Sequence, residues 1–347
     1  MYVYVRTLVL LSTISLTSSS AQLTWSPAAV TLETERASWT RMVQLQDSSW
    51  LAAYMVGPRP STLRIKRSFD KMRSWQFIGE VREAGRNLDN ANMYRQADGI
   101  ILLAIRSVVD GKSYRIQIYR SVDDGNSFAF LSTVDASENT GGSTTRGVYE
   151  PFLAGLPNGT IACFYANEKH STEKPSFSQV ISERISADGG GTWGPEILAV
   201  AQQGAARPGE PNVIFLNSGG LALFYEVCGA ENCVGHTSYS ADGITWTGDI
   251  GPPISGTWQN AQAVAAGPII VATSNARSIL VSSGDLASWR DTGTQPPGHG
   301  SWPGLYQTAP NEIALVIGAA GNSGAPGQYI WFGQMHAPVS MVWPRQQ

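Results

Sequence analysis

Charge is in short supply in this chain. Asp, Glu, Lys and Arg together make up 15% of its 347 residues, and their formal balance is −3. With no basic stripe anywhere, nucleic acid and anionic membrane surfaces are excluded as partners. Histidine and cysteine are scarcer still, at four and three. They are scattered without ligand spacing, so no metal centre is expected, and nothing calls for a cofactor. Amphipathic helical periodicity is missing at any length, which excludes helix bundles and α/β architectures. Apolar runs long enough to cross a bilayer are missing too.

Glycine (36), proline (19) and aromatics (10%) are plentiful, as in a turn-rich β protein with a generous core. The turns carry a repeat. SADGGGTW (Ser186 to Trp193) recurs more loosely as SFDKMRSW (from Ser68), SVDDGNSF (from Ser121), SADGITW (from Ser240) and SGDLASW (from Ser283). Their aspartates Asp70, Asp123, Asp188, Asp242 and Asp285 are spaced 53, 65, 54 and 43 residues apart. Such periods, built from short strands, signal a radial β array. In each copy the Asp carboxylate and the Ser or Thr hydroxyl can satisfy amides inside a tight turn, and the closing aromatic packs between sheets.

A second repeat interleaves with the first. Alternating apolar segments flank short turns from Arg41, Asn90, Glu150, Glu210, Trp258 and Leu305. Each reads as a hairpin, and five of the six are followed by a boxed hairpin. The fold expected is all-β: a six-bladed β-propeller of four-stranded antiparallel blades. The sixth blade lacks a box and would be completed by Gln328 to His336 and a strand from one terminus.

At the N-terminus Arg6 precedes LVLLSTISL and then Ser20-Ala21-Gln22, the pattern of a signal peptide spanning residues 1–21. The propeller would then occupy residues 22–347 of a secreted, monomeric protein. Asn158-Gly159-Thr160 is an acceptor sequon in a hairpin turn. Cys228 and Cys233 form a candidate disulfide, and Cys163, inside IACFY, reads as a buried free thiol.

In an antiparallel blade, the start of strand one and the end of strand two share a face, and the boxes lie on the other. That places Arg41, Asn90, Glu150, Glu210, Trp258 and Tyr306, with Arg106, Glu168 and Glu226, around one mouth of the central funnel. Glu150 and Glu226 abut apolar runs (VYEPFL and LALFYEVC) rather than polar loops. Two carboxyls facing each other from neighbouring blades suit glycoside hydrolysis, in which one protonates the leaving oxygen and the other attacks or activates water.

The boxes resemble the Asp boxes of the sialidase superfamily. YEPFL (from Tyr149), ANE (from Ala166), ARPG (from Ala206) and YEVCGAENC (from Tyr225) resemble the exo-α-1,5-L-arabinanases of glycoside hydrolase family 93. The resemblance implies a retaining enzyme that releases arabinobiose from the non-reducing end of linear α-1,5-arabinan. By motif it maps the two catalytic glutamates onto Glu150 and Glu226; Glu150 is assigned as acid/base and Glu226 as nucleophile, with the exchanged roles as the alternative, and Tyr306 is placed to orient Glu226. Arg41, Asn90, Glu168, Arg207 and Trp258 are then candidates for gripping the sugar. The chain departs from the family at Glu210, where an apolar residue follows RPG. Two other readings are a sialidase-like exo-glycosidase of different specificity and a non-catalytic secreted propeller that binds carbohydrate.

Overall fold

The structure is a computed structural model that describes residues 22–138, 146–284, 286, 288–298, 300–319 and 326–336. The expected signal peptide and Asp285 of the last box lie outside the described residues.

Six antiparallel sheets stand around a central axis. Their inner strands are Ala37–Gln44, Asn87–Arg95, Val148–Gly155, Arg207–Phe215, Gln262–Ala266 and Ser301–Ala309, for blades one to six. Each inner strand touches the next, and the sixth touches the first, so the ring closes. Blades one to five run outward in simple sequence order. Blade six takes its outermost strand from the other end of the chain. Gln22–Trp25 pairs antiparallel with Gly327–His336, Gln22 lying opposite His336, and Val30–Glu33 adds a second grip on the same strand. The only helical turn among the described residues is Lys169–Thr172.

The apolar core is divided into six wedges, one between each pair of neighbouring blades. Middle strands such as Ile161–Asn167 are buried on both faces and read as continuous apolar runs. Phe164, facing blade four, and Tyr165, facing blade two, are among the largest fully buried side chains. Each buried Leu, Ile or Phe contributes about 1.5–3 kcal/mol, so the wedges hold the ring together blade by blade.

The octapeptide turns join the third and fourth strands, on the face away from the funnel mouth. In blade three, Ser186 Oγ donates to Asp188 Oδ1 (2.7 Å), and the Thr192 amide and hydroxyl donate to the two Asp188 oxygens (2.9 and 2.7 Å). The same set recurs at Asp70, Asp123 and Asp242. The closing aromatic reaches back to the preceding blade. Trp193 Nε1 donates to Ser132 Oγ (3.0 Å), Trp246 Nε1 to Glu183 Oε2 (2.8 Å), and Trp289 packs edge-on against Phe224. These turns are therefore clasps between sheets, built from sequence-local hydrogen bonds.

Candidate active site

Five of the six inner strands break their ladder near the start. In each the pairing skips two residues, between Ser38 and Arg41, Asp89 and Asn92, Tyr149 and Phe152, Gly209 and Asn212, and Ser301 and Gly304. The first skipped residue has positive φ: Trp39 (53°), Asn90 (47°), Glu150 (58°), Glu210 (52°) and Trp302 (53°). In blade five Asn260 (50°) holds the matching place just before its strand. Left-handed backbone is unfavourable for side chains of this size, and bulges of this kind re-aim a side chain. Here they turn six side chains into one ring at the narrow end of the funnel. Proline follows at Pro151, Pro211 and Pro303, which suits a position whose amide is outside the ladder.

Two carboxyls on that ring, from blades three and four, meet a third from the second strand of blade four. Glu150 Oε2 accepts the Glu210 amide (2.8 Å), a bond that crosses between blades. Gly209, the residue before Glu210, lies directly opposite Glu226 in the ladder. A Cβ on Gly209 would stand 3.0 Å from Glu150 Oε2 and 2.7 Å from Gln179 Nε2, so glycine permits the approach. Glu226 Oε2 in turn accepts the Asn260 amide from blade five. Backbone amides thus hold both outer carboxylates across blade boundaries.

Burial is the largest influence on all three acids and raises them all. Glu226 is pushed up to about 7, with the charge of Glu150 adding to burial. Glu150 is raised by burial, opposed by the Glu210 amide and by Arg106 and Arg207. Glu210 is raised well above the ordinary carboxyl value, with Glu150 and Glu226 adding to burial and Arg41 opposing it. Arg41 Nη2 lies 4.0 Å from Glu210 Oε2. Arg106 is forked onto Asp89 (2.6 and 2.5 Å) and sits over the Tyr149 ring.

Of the other residues expected at the mouth, Arg207 is partly exposed and donates to Glu168 (2.6 Å) and Gln179 (2.9 Å). Asn90 is buried, and its Oδ1 has no partner. Trp258 exposes its ring at 43%, as a stacking surface needs. Glu168 differs from expectation. It is 2% exposed and accepts from Tyr149 Oη, the Gly147 amide and Arg207, so it braces the site and has little left for a sugar.

Tyr306 is the clear correction. Its hydroxyl accepts the Met42 amide of blade one (2.9 Å), and its ring meets Trp50 edge-on at 5.9 Å. It packs in the wedge between blades six and one and makes no hydrogen bond to Glu226. The bulge residue of blade six is Trp302, four positions earlier. The positive-φ positions of blades one and five are Trp39 and Asn260, two residues before Arg41 and two after Trp258, while Arg41 itself faces Glu210 at the mouth as expected.

Trp39, Trp302 and Asn260 escaped sequence reasoning because a two-residue bulge leaves no mark on apolar alternation. The X-Pro pairs at 150–151, 210–211 and 302–303 were the available signal. Trp39 and Trp302 pack together with centroids 4.3 Å apart. Both line a cleft of about 710 Å³ beside the funnel, with Arg36, Asp89 and Arg106. The funnel floor, between Trp39, Arg41, Asn90, Glu150 and Glu210, narrows to a void of about 20 Å³, room for one water-sized group. Three buried polar atoms at the ring have no partner: Trp39 Nε1, Asn90 Oδ1 and Asn260 Nδ2. Buried groups left unpaired are costly unless a ligand or solvent engages them. The ring therefore offers donors and acceptors to a polyhydroxylated ligand. Glu226, Cys228 and Cys233 also lie close together, but the two sulfurs are joined in the expected disulfide and present no thiolates to a metal. Cys163 is buried and free, as expected.

Fold and ring together define a six-bladed propeller of the sialidase type with an acidic funnel. Among solved structures, the Penicillium chrysogenum α-L-arabinanase complexed with arabinobiose superposes with a TM-score of 0.74. The two chains are 21% identical, over 89% of this chain and 98% of that one. The family 93 α-L-arabinofuranosidase of Fusarium graminearum, also complexed with arabinobiose, gives 0.73 at 17% identity, over 87% and 97%. Trypanosoma rangeli sialidase with sialic acid gives 0.56 at 11%, covering 90% of this chain and 58% of that one. No protein-family model matches the sequence, and no curated protein sequence matches it.

Proposed function

We propose that this protein is a secreted, retaining glycoside hydrolase that acts from the non-reducing end of linear α-1,5-L-arabinan and releases arabinobiose. The observation that carries this reading is the pair Glu150 and Glu226. Both stand half-buried at the narrow end of the funnel, close enough for each charge to bear on its neighbours, and each is held by a backbone amide from the next blade.

In this reading Glu226 attacks the anomeric carbon while Glu150 passes its proton to the leaving oxygen, breaking the glycosidic bond and forming a glycosyl ester. Water then attacks the same carbon. Glu150 takes the water's proton, and the ester bond to Glu226 breaks. Burial favours a proton on Glu150, and the Asn260 amide opposes the rise at Glu226 and steadies its charge.

Two of the structural neighbours carry arabinobiose, a neutral disaccharide, which supports a neutral substrate. Specificity for sialic acid has less support, because Arg41, Arg106 and Arg207 each face a carboxylate of the protein itself. A purely binding role has less support as well, because the two glutamates act on each other's charge and are each held by an amide rather than standing apart in solvent. The test is to incubate the protein with debranched arabinan and with a sialyl-lactose, identifying products by chromatography and their anomeric form by NMR. Arabinobiose of retained configuration is expected. Free sialic acid, or no product from either substrate, would reject the proposal.

A further inference from the structure

The reaction needs two carboxyls, and the funnel holds three. Glu210 occupies the bulge position of blade four with φ of 52°, a backbone cost that is characteristic of positions under functional constraint. Its amide is the hydrogen-bond donor that fixes Glu150 Oε2. Glu210 is 7% exposed, and the half-buried Glu150 carboxyl lies on the other side of that bond.

The charges around Glu210 come from four blades. Arg41 faces it from blade one at 4.0 Å, Glu150 from blade three, and Glu226 from its own blade. Arg106 of blade two and Arg207 of blade four act on Glu150, but both are already bonded to Asp89 and Glu168. The Trp39 indole N–H is directed at Glu210 without completing a hydrogen bond. Buried Glu210 and half-buried Glu150 and Glu226 share one guanidinium not already paired with another carboxylate, and cannot all be ionised, because neighbouring like charges shielded from water exclude one another.

We propose that Glu210 is a positioning residue for Glu150: its amide holds the Glu150 carboxyl in place and its side chain shares protons with it, so that the two acids titrate as one unit. This rests on Glu150 being the acid/base of the proposed hydrolysis. A coupled pair gives up its protons in steps that belong to the pair, which keeps a proton on the pair to higher pH than one acid alone would manage. Glu210 therefore widens the alkaline side of the working range.

The test uses the whole mature chain. Glutamate side-chain carboxyl carbons are followed by ¹³C NMR against pH in wild type, Glu210→Gln and Glu210→Asp. The rate kcat/KM on linear arabino-oligosaccharides is then measured over the same range. In wild type the Glu150 signal should move in two steps. Glu210→Gln keeps the shape and the amide, so the signal should collapse to one step at lower pH. The alkaline limb of kcat/KM should move down by about one pH unit, as expected on removing a neighbouring carboxylate. Glu210→Asp, which keeps an acid and tolerates the left-handed backbone, should restore the second step and the limb. A Glu150 signal that titrates in one step, unchanged between wild type and Glu210→Gln, would overturn the proposal whatever the activity. Two-step titration with an unmoved limb would also overturn it, showing coupled acids that do not serve the reaction. Two-step titration in a protein that cleaves no arabinan would leave the coupling standing and reject the arabinanase reading.

Discussion

At the octapeptide turn of blade one, Asp70 accepts the Ser74 and Ser68 hydroxyls and the Ser74 and Arg73 amides, and its carboxyl is held down at about 2. In the funnel on the other face, Glu226 accepts one amide, sits beside two further acids, and is pushed up to about 7. Both groups are carboxyls in turns or strands of the same ring. The turn supplies more donors than the charge needs and leaves it in water, so the aspartate is a fixed anion that pins a loop. The funnel supplies fewer donors and restricts water, so its carboxyls are raised: one can hold a proton to give away, and the other relies on its amide to carry a charge. One face uses carboxylates to hold the sheets together, and the other keeps them in a reactive state.

The sharpest way to break this comparison is to remove the funnel acids. Glu150→Gln and Glu226→Gln should each lower kcat by about 10³-fold or more. Neither should lower the melting temperature, because each removes a buried charge of its own sign. A variant keeping more than a tenth of the rate would mean that the reacting group lies elsewhere. Next in size is Gly209→Ala. Its methyl group would press on Glu150 Oε2 and Gln179 Nε2, and a displacement of that order should cost about 100-fold in kcat. Wild-type kinetics would show that the amide grip on Glu150 is dispensable.

A third test uses an acid that belongs to neither face. Glu183 is fully buried between blades three and four, bonded only to Trp246, and burial pushes its carboxyl up to about 8. Its folded value lies above the unfolded 4.5, so its stabilising contribution is complete below pH 4.5 and is lost as pH rises towards 8. In that window the slope is up to about 1.4 kcal/mol per pH unit. Urea titrations of wild type and Glu183→Gln should therefore converge in mild acid and separate towards pH 8, with the variant the more stable. Parallel curves would refute the assignment. Asp70 works in the opposite sense. Its contribution is complete above the ordinary aspartate range and is lost as pH falls through about 2. The smallest effect is expected at the turns. Asp123→Ala should lower the melting temperature by a few degrees and leave kcat unchanged, whereas a large fall in kcat would contradict the division between the faces.

How much of this was legible in the sequence follows from how local each signal is. The turns were readable because Ser186, Asp188 and Thr192 bond to one another within seven residues. Blade number followed from the six hairpins that interleave with these five turns. Glu150 and Glu226 stood out because each is a charge set against an apolar strand. Tyr306, Trp39 and Asn260 were misread or missed for one reason: their placement depends on the ladder register across a bulge, and register is a property of two strands rather than one. Glu168 was found at the right place but in a different role, because the Tyr149 and Arg207 partners that occupy it come from elsewhere in the chain.

Gln22–Trp25 precedes every other described strand in chain order, yet its partner, Gly327–His336, follows them all. The circle of sheets therefore stays open until Gly327–His336 has been made, and the surroundings that raise the funnel acids exist only once it has closed. Because Gln22 and His336 end up side by side, a short peptide could join these two positions and new termini be opened at another hairpin. Such a permuted chain should rebuild the same funnel, while losing either of these two strands would unlatch it.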